Sequence, residues 1–141
     1  YETLVSYLER EGKVLNVPFP YNPLEYFSLI TQPENRCSQC YFLRLQKVAQ
    51  WGKERGFKFF TTTLTISPYQ NLPAIWEVGK QIGEKWDIEF LVRDFREGFH
   101  QSVARSKNLK LYRQNYCGCI FSKYEGTKRR LEKRLTGLKF S

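Results

Sequence analysis

No apolar run in the sequence approaches the roughly 18–20 residues a membrane-crossing helix needs, which excludes an integral helical membrane protein. The four cysteines are too few for a disulfide-built miniprotein, and no signal peptide is recognisable. The single histidine, His100, reads as a surface or capping residue rather than a ligand. GxGxxG, GxxxxGK[ST] and HExxH are absent, and with them the common nucleotide-binding and metalloprotease signatures. Repeats, low-complexity tracts and Gly/Ser linkers are missing too.

Acidic residues are also scarce, 14 against 23 Lys+Arg, giving a formal net charge of +9. That excess favours a polyanion such as RNA, or an anionic membrane surface, over a merely solvated exterior. Two clusters concentrate it. Arg36, Arg44, Lys47, Lys53, Arg55 and Lys58 have Glu54 as their only acidic companion, and Lys123, Lys128, Arg129, Arg130, Lys133, Arg134 and Lys139 face Glu125 and Glu132. Such clusters neutralise phosphates but read no base sequence. The 141 residues fit one domain, and a 41% hydrophobic fraction rich in Phe and Tyr argues against disorder. Residue 1 is Tyr inside an apparent helix, so an upstream segment is expected.

Helical spacing runs over Thr3–Glu11, with Leu4, Tyr7 and Leu8 on one face and Gly12 at the C-terminal cap. Val14–Phe19 reads as a short strand and Leu24–Ile30 as a helical turn or two. A helix over Ser38–Arg55 places Tyr41, Leu45, Val48 and Trp51 on its apolar face. Phe57–Ile66 is β-branched and aromatic, hence a buried strand. Asn71 caps a helix carrying Ile75, Val78 and Ile82, and Ile88–Val92 is the next strand. Helices over Gly98–Lys107 and about Lys123–Leu135 complete the chain. The alternation predicts an α/β fold: a Rossmann-like parallel sheet with helices on both faces, a single domain over residues 1–141. Ligands in such folds bind beyond the carboxyl ends of the strands, which points to the loop after Phe57–Ile66.

The chemistry centres on two cysteine pairs, Cys37-Ser-Gln-Cys40 and Cys117-Gly-Cys119. A CxxC points two thiolates at one metal, and a helix start beside Cys37 and Cys40 stabilises thiolate. In an extended CxC the side chains face opposite ways, unless Gly118 takes a positive φ. Three readings stay open: a four-thiolate structural zinc site, an iron–sulfur cluster, or buried or redox-active thiols. Spacing does not choose among them.

Two further segments carry polar chemistry. Thr61 to Pro68 sets hydroxyls, among them Thr62, Thr63 and Ser67, at a strand end before a helix, as an anion site or as ordinary turn chemistry. Leu111 to Tyr116 leads into Cys117 and offers Tyr112 and Tyr116 for stacking, with Arg113, Gln114 and Asn115 able to make bidentate contacts.

Three motifs together resemble the cobalamin-independent epoxyqueuosine reductase family of the QueH type. They are Arg36-Cys37-x-x-Cys40-Tyr41-x-x-Arg44-Leu45, Phe60-Thr61-Thr62-Thr63-Leu64-x-x-Ser67-Pro68, and Tyr112-Arg113-Gln114-x-Tyr116-Cys117-Gly118-Cys119-x-Phe121-Ser122. The resemblance implies an oxidoreductase that removes the epoxide oxygen of epoxyqueuosine at the tRNA wobble position, completing queuosine. It further implies a [4Fe-4S] cluster with an additional iron ion, and Cys37, Cys40, Cys117 and Cys119 as ligands. Family members begin with a strand ending in Cys-Cys-x-Pro-Cys/Asp, so that segment, or a separate chain supplying its ligands, is expected in addition to these residues.

On this reading an external electron donor supplies two electrons, and a proton donor releases the epoxide oxygen as water. Tyr112, Tyr116, Asp94 and Tyr41 are the candidate donors. Thr62, Thr63, Ser67, Arg96, Tyr112, Arg113 and Gln114 are the candidate substrate contacts, with basic faces for tRNA phosphates. Reduced thiols and a tRNA partner imply a cytoplasmic protein with no membrane association. The alternatives are a zinc-stabilised tRNA- or RNA-binding module without redox activity and an ATP-using tRNA thiolation relative; the missing phosphate loop counts against the latter.

Overall fold

The computed structural model describes residues 2–13, 20, 22–30 and 33–137. The expected strand Val14–Phe19 lies outside the described residues. The chain divides into two compact units, Leu15–Val103 and the pairing of Tyr1–Val14 with Ala104–Ser141.

In the first of these, α2 (Pro23–Leu29) starts with proline at its first position, and Asn22 caps it by accepting from the Glu25 N–H at 3.3 Å. An ion pair between Glu25 and Lys47 ties it to α3 (Arg36–Glu54). The buried stripe of α3 is Cys40, Tyr41, Leu45, Ala49 and Gly52. It is rotated from the expected one: Val48 is exposed and Trp51 only half-buried. The small residues decide this, because Ala49 and Gly52 let the helix settle close to its neighbours. A Cβ on Gly52 would stand 3.2 Å from Ile88 Cδ1.

The expected strand over Phe57–Ile66 is reduced to β1 (Phe59–Phe60). Beyond Thr61 the hydroxyls of Thr62 and Thr65 satisfy the backbone locally and bend it into a 3-10 turn over Thr63–Ile66. Thr62 Oγ1 accepts from the Leu64 N–H at 3.2 Å, and Thr65 Oγ1 donates to the Thr62 carbonyl at 3.3 Å. Helix α4 (Leu72–Trp86) follows, with Asn71 Oδ1 accepting from the Ala74 N–H at 3.2 Å. It buries Ile75, Val78 and Ile82, the expected face. It ends at Asp87 in the left-handed conformation, where Lys53 Nζ donates to both the carbonyl and carboxylate of Asp87 at 2.6 Å. That contact holds the Asp87 carboxyl below its ordinary range.

The second expected strand, Ile88–Val92, is likewise shorter: β2 (Glu89–Phe90). It pairs with β1 in parallel, Phe59 opposite Glu89 and Phe60 opposite Phe90, with α4 as the crossover. The observed architecture is therefore mostly helical around a two-stranded parallel sheet. Phe60 and Phe90 point to one face and meet Tyr41, Leu45 and Ala49 of α3, Ile75, Val78 and Ile82 of α4, and Ile88. On the opposite face Phe57, Phe59 and Glu89 are exposed.

In the other unit, α1 (Glu2–Arg10) ends at Gly12, whose φ of +63° confirms the expected cap position. Arg105 holds it: Nη2 lies 2.8 Å from both Glu11 carboxylate oxygens, and the guanidinium stands 5.9 Å from the Tyr7 ring centre. Arg105 belongs to α5 (Phe99–Asn108), which runs from one unit into the other. Helix α6 (Ile120–Gly137) starts three residues before the expected Lys123.

A Cβ on Gly83 would stand 2.7 Å from the Ile88 carbonyl oxygen, which is backbone and cannot yield cheaply. We expect Gly83→Ala to destabilise the protein by about 2 kcal/mol. Gly126, inside α6 with nothing within 4 Å of its Cβ position, is the converse. Gly126→Ala should stabilise by about 1 kcal/mol. Equilibrium urea unfolding measures both.

Candidate functional site

In a parallel α/β arrangement the strands end, and the helices begin, at the same edge of the sheet. Here that edge collects most of the sequence-predicted residues of the Leu15–Val103 unit. Cys37 is the second residue of α3 and Cys40 lies one turn later on the same helical face. Tyr41 fixes this end to the start of α4: its hydroxyl donates to Gln70 Oε1 at 2.8 Å and accepts from the Asn71 N–H at 3.4 Å. Cys37 is exposed and Cys40 buried, so the pair runs from surface to interior.

The loops that follow β1 and β2 close the same edge. Thr61 Oγ1 donates to the Leu91 carbonyl at 2.8 Å, and the 3-10 turns Thr63–Ile66 and Arg96–Gly98 pack on each other. Thr62 and Ser67 hydroxyls cap backbone N–H groups of Leu64 and Tyr69, whereas Thr63 is exposed. Beyond β2, Arg96 folds back on Asp94 through Nε and Nη2, at 2.9 and 2.5 Å to the nearer carboxylate oxygens. These bonds hold the Asp94 carboxyl below its ordinary range and raise the Arg96 guanidinium. At neutral pH Asp94 is thus a carboxylate with no proton to give.

The second cysteine pair belongs to the other unit. Cys117-Gly-Cys119 is not extended: Gly118 has a φ of +99°, the freedom anticipated for it. The bend turns both sulfurs toward Ser122. The Cys117 thiol donates to Ser122 Oγ at 3.1 Å, and the Ser122 N–H donates to Cys119 Sγ at 3.2 Å. Ser122 Oγ also accepts from the Cys117 N–H at 3.2 Å and donates to the Cys119 carbonyl at 3.1 Å. Cys119 immediately precedes Ile120, so its sulfur occupies the N-cap place of α6 and takes a helix N–H that a serine or aspartate would normally take. Anionic sulfur is favoured there.

Upstream, Leu111–Gln114 has no regular structure, with Tyr112, Arg113 and Gln114 exposed. Gln114 Nε2 donates to the Tyr116 carbonyl at 2.7 Å, and Lys123 Nζ stands 5.8 Å from the Tyr116 ring centre. His100 is exposed and meets Phe99 edge-on, as a surface residue would.

All four cysteines are thiols rather than disulfides. Soft sulfur donors suit iron–sulfur or zinc and suit magnesium or calcium poorly. Among the described residues no group of three or more Cys, His, Asp or Glu side chains gathers as a metal-binding set. The donor set therefore fits iron–sulfur or zinc in its chemistry, as two thiol pairs. Sequence reasoning missed the roles of Ser122 and Gln70. The signal for Ser122 was available: with a helix starting at Ile120, it falls three residues after the cap, the reciprocal position of a capping box.

The profile of the family "Epoxyqueuosine reductase QueH" matches residues 2–125. A protein of that name from Thermotoga maritima is 39% identical over 114 residues, covering 79% of this chain and 59% of its own length. Its namesake from Streptococcus pyogenes serotype M1 is 37% identical over 110 residues, 72% of this chain and 43% of its own. One from Haemophilus influenzae is 34% identical over 136 residues, 87% of this chain and 55% of its own. The chain thus spans about half the length of the curated relatives it matches. The matched span takes in the CxxC, the Thr61–Pro68 turn and the Cys117–Ser122 knot alike, and on that ground the chain belongs to the epoxyqueuosine reductase QueH family.

Proposed function

We propose that this protein works in the reduction of epoxyqueuosine to queuosine at the tRNA wobble position. The observation that carries the reading is the Cys117–Gly118–Cys119 knot around Ser122, which turns two thiols together at a helix start inside a family-matched segment. Family membership and the all-thiol donor chemistry support a [4Fe-4S] cluster, with an additional iron ion, as the resident group. Cys37 and Cys40 form one pair of ligands and Cys117 and Cys119 another. When bound, such a group passes electrons singly from an external donor and offers a Lewis-acidic iron. A segment or chain beyond these residues supplies its remaining ligands.

The chain's own residues bind, orient and protonate. Arg113 and Tyr112 are free to meet the tRNA, one by charge and bidentate bonding, the other by stacking on an unpaired base. Gln114 braces the same loop, and Thr63 presents a hydroxyl at the sheet edge, where Thr62 and Ser67 shape the turn and Arg96 brings a cation. Of the candidate proton donors, Asp94 is ionised by Arg96, and Tyr41 spends its proton on Gln70. Those commitments favour Tyr116, which directly precedes Cys117, as the donor, ahead of the exposed Tyr112.

Two wider readings accompany this. The two parallel strands, with α3 and α4 on one face and Phe57 and Phe59 bare on the other, belong to a Rossmann-like sheet that is covered on both faces, as parallel sheets require. Residues 1–141 act as one functional domain. Thiol pairs kept reduced and an RNA substrate support a cytoplasmic location. No helix among the described residues is long and apolar enough to cross a membrane.

Nucleoside mass spectrometry of tRNA carrying epoxyqueuosine, incubated anaerobically with the protein and a low-potential reductant, tests the activity. Loss of epoxyqueuosine with matching gain of queuosine is expected; tRNA bound but unchanged would favour an RNA-binding module. Tyr116→Phe should lower turnover at least 10²-fold, the usual scale of a lost acid–base group, with iron content unchanged. Arg113→Ala should weaken tRNA turnover and likewise leave iron intact, whereas equal loss of both would count against a substrate role.

A further inference from the structure

Helix α6 carries six basic and two acidic residues in 18, a net +4 within a chain of +9. Their arrangement around the helix matters more than the sum. Projected at about 100° per residue, Lys123, Arg129, Arg130, Lys133 and Arg134 fall within an arc of about 140° that holds no acidic residue. Glu125 and Glu132 lie together on a different side, and Lys128 stands 4.0 Å from Glu132. Ile120, Leu131, Tyr124, Leu135 and Phe121 occupy a third arc of about 100°, with Lys128 inside it. A helix whose charges serve solubility intersperses opposite signs at i,i+4 spacing. This one separates them. The arc is also accessible, since every residue from Thr127 to Gly137 is exposed. Within it Arg129 Nε reaches a backbone carbonyl and Arg130 Nη2 the Thr127 hydroxyl, and no ion pair from either to another described residue is formed.

We infer that this arc of α6 is a docking surface for the phosphate backbone of RNA. The inference rests on the tRNA reading above and gives it a place on the molecule. A row of cations with no acid among them complements a polyanion, and RNA is the polyanion that this family's chemistry concerns. The helix rises directly from Cys119 and extends about 27 Å from it. It therefore aligns a length of backbone while the Cys117–Ser122 knot stands at one end, phosphate contact setting position and the knot's neighbourhood meeting the modified base. An anionic lipid surface is a poorer match: Glu125 and Glu132 border the apolar side of the helix, and the basic arc stands apart from it rather than flanking it on both sides.

The test is the salt dependence of binding to a fluorescently labelled anticodon stem–loop RNA. Each phosphate contact contributes about 0.7–0.9 to the slope of log affinity against log salt. Arg130→Gln/Lys133→Gln/Arg134→Gln should make that slope shallower by about 2–3, and Arg130→Gln alone by about 1. Glutamine keeps the helix propensity of the residues it replaces, and circular dichroism checks it. Lys128→Gln, outside the basic arc, should leave the slope within experimental error. An unchanged slope in the triple variant overturns the inference. So does an equal change in Lys128→Gln, or binding to phosphatidylserine vesicles that the triple variant abolishes while RNA binding persists. Iron content and epoxyqueuosine reduction by the wild type, measured alongside, separate the two proposals. The expected slopes without reduction refute the reductase reading alone, and reduction with unchanged slopes refutes the α6 surface alone.

Discussion

The close approach of α4 to β2 is the constraint on which the Leu15–Val103 unit depends. Gly79 and Gly83 face β2, and a Cβ on Gly79 would stand 2.5 Å from the Phe90 ring. The absence of those side chains lets the helix lie against the strand backbone and seat Phe90 beside Phe60, their ring centres 5.1 Å apart. With two residues in each strand, ladder hydrogen bonds contribute little to this assembly. Burial of Phe60, Phe90, Ile75, Ile82 and Leu45 supplies the driving force, and the glycines make it geometrically possible. The consequence reaches the sheet's carboxyl edge. There Tyr41 links the start of α3 to the start of α4, and the turns after β1 and β2 are stapled through Thr61.

The two cysteine pairs reach similar chemistry by different local means. Cys37 and Cys40 are placed by helical periodicity, one turn apart at the beginning of α3. Cys117 and Cys119 are placed by a bend at Gly118 and by Ser122, which touches both sulfurs through two different atoms. Cys37 and Cys119 sit at the starts of α3 and α6, where backbone N–H groups point outward. Nearby hydrogen bonds set the state of the polar side chains at the sheet's carboxyl edge: the Arg96 pairing holds the Asp94 carboxyl below its ordinary range, and the Tyr41 hydroxyl donates to Gln70.

Helix periodicity made most of the fold legible. The capped start at Asn71 and the Ile75, Val78 and Ile82 face follow from elementary rules, as does the stop at Gly12. The strands were overestimated, because β-branched and aromatic residues signal strand propensity, whereas strand length depends on partners the sequence does not announce. Thr62 and Thr65 show the conflict: residues suited to strands instead use their hydroxyls to build a turn. On α3 the apolar spacing was right and its rotation wrong, since Ala49 and Gly52 are buried for closeness rather than for hydrophobicity. The cysteines and the φ of Gly118 were legible in the site. Ser122 was legible only as a member of the third motif, and its hydrogen-bonding role follows once α6 is known to begin at Ile120.

The central claim is that the thiol pairs hold iron and sulfide. An anaerobic absorption spectrum of the purified protein, with analysis for iron, zinc and acid-labile sulfide, tests it most directly. The account predicts a brown protein absorbing broadly near about 400 nm, where thiolate-bound clusters absorb. It also predicts about four irons with matching sulfide, and loss of that colour in Cys117→Ser and Cys119→Ser. A colourless protein carrying one zinc and no sulfide would contradict it.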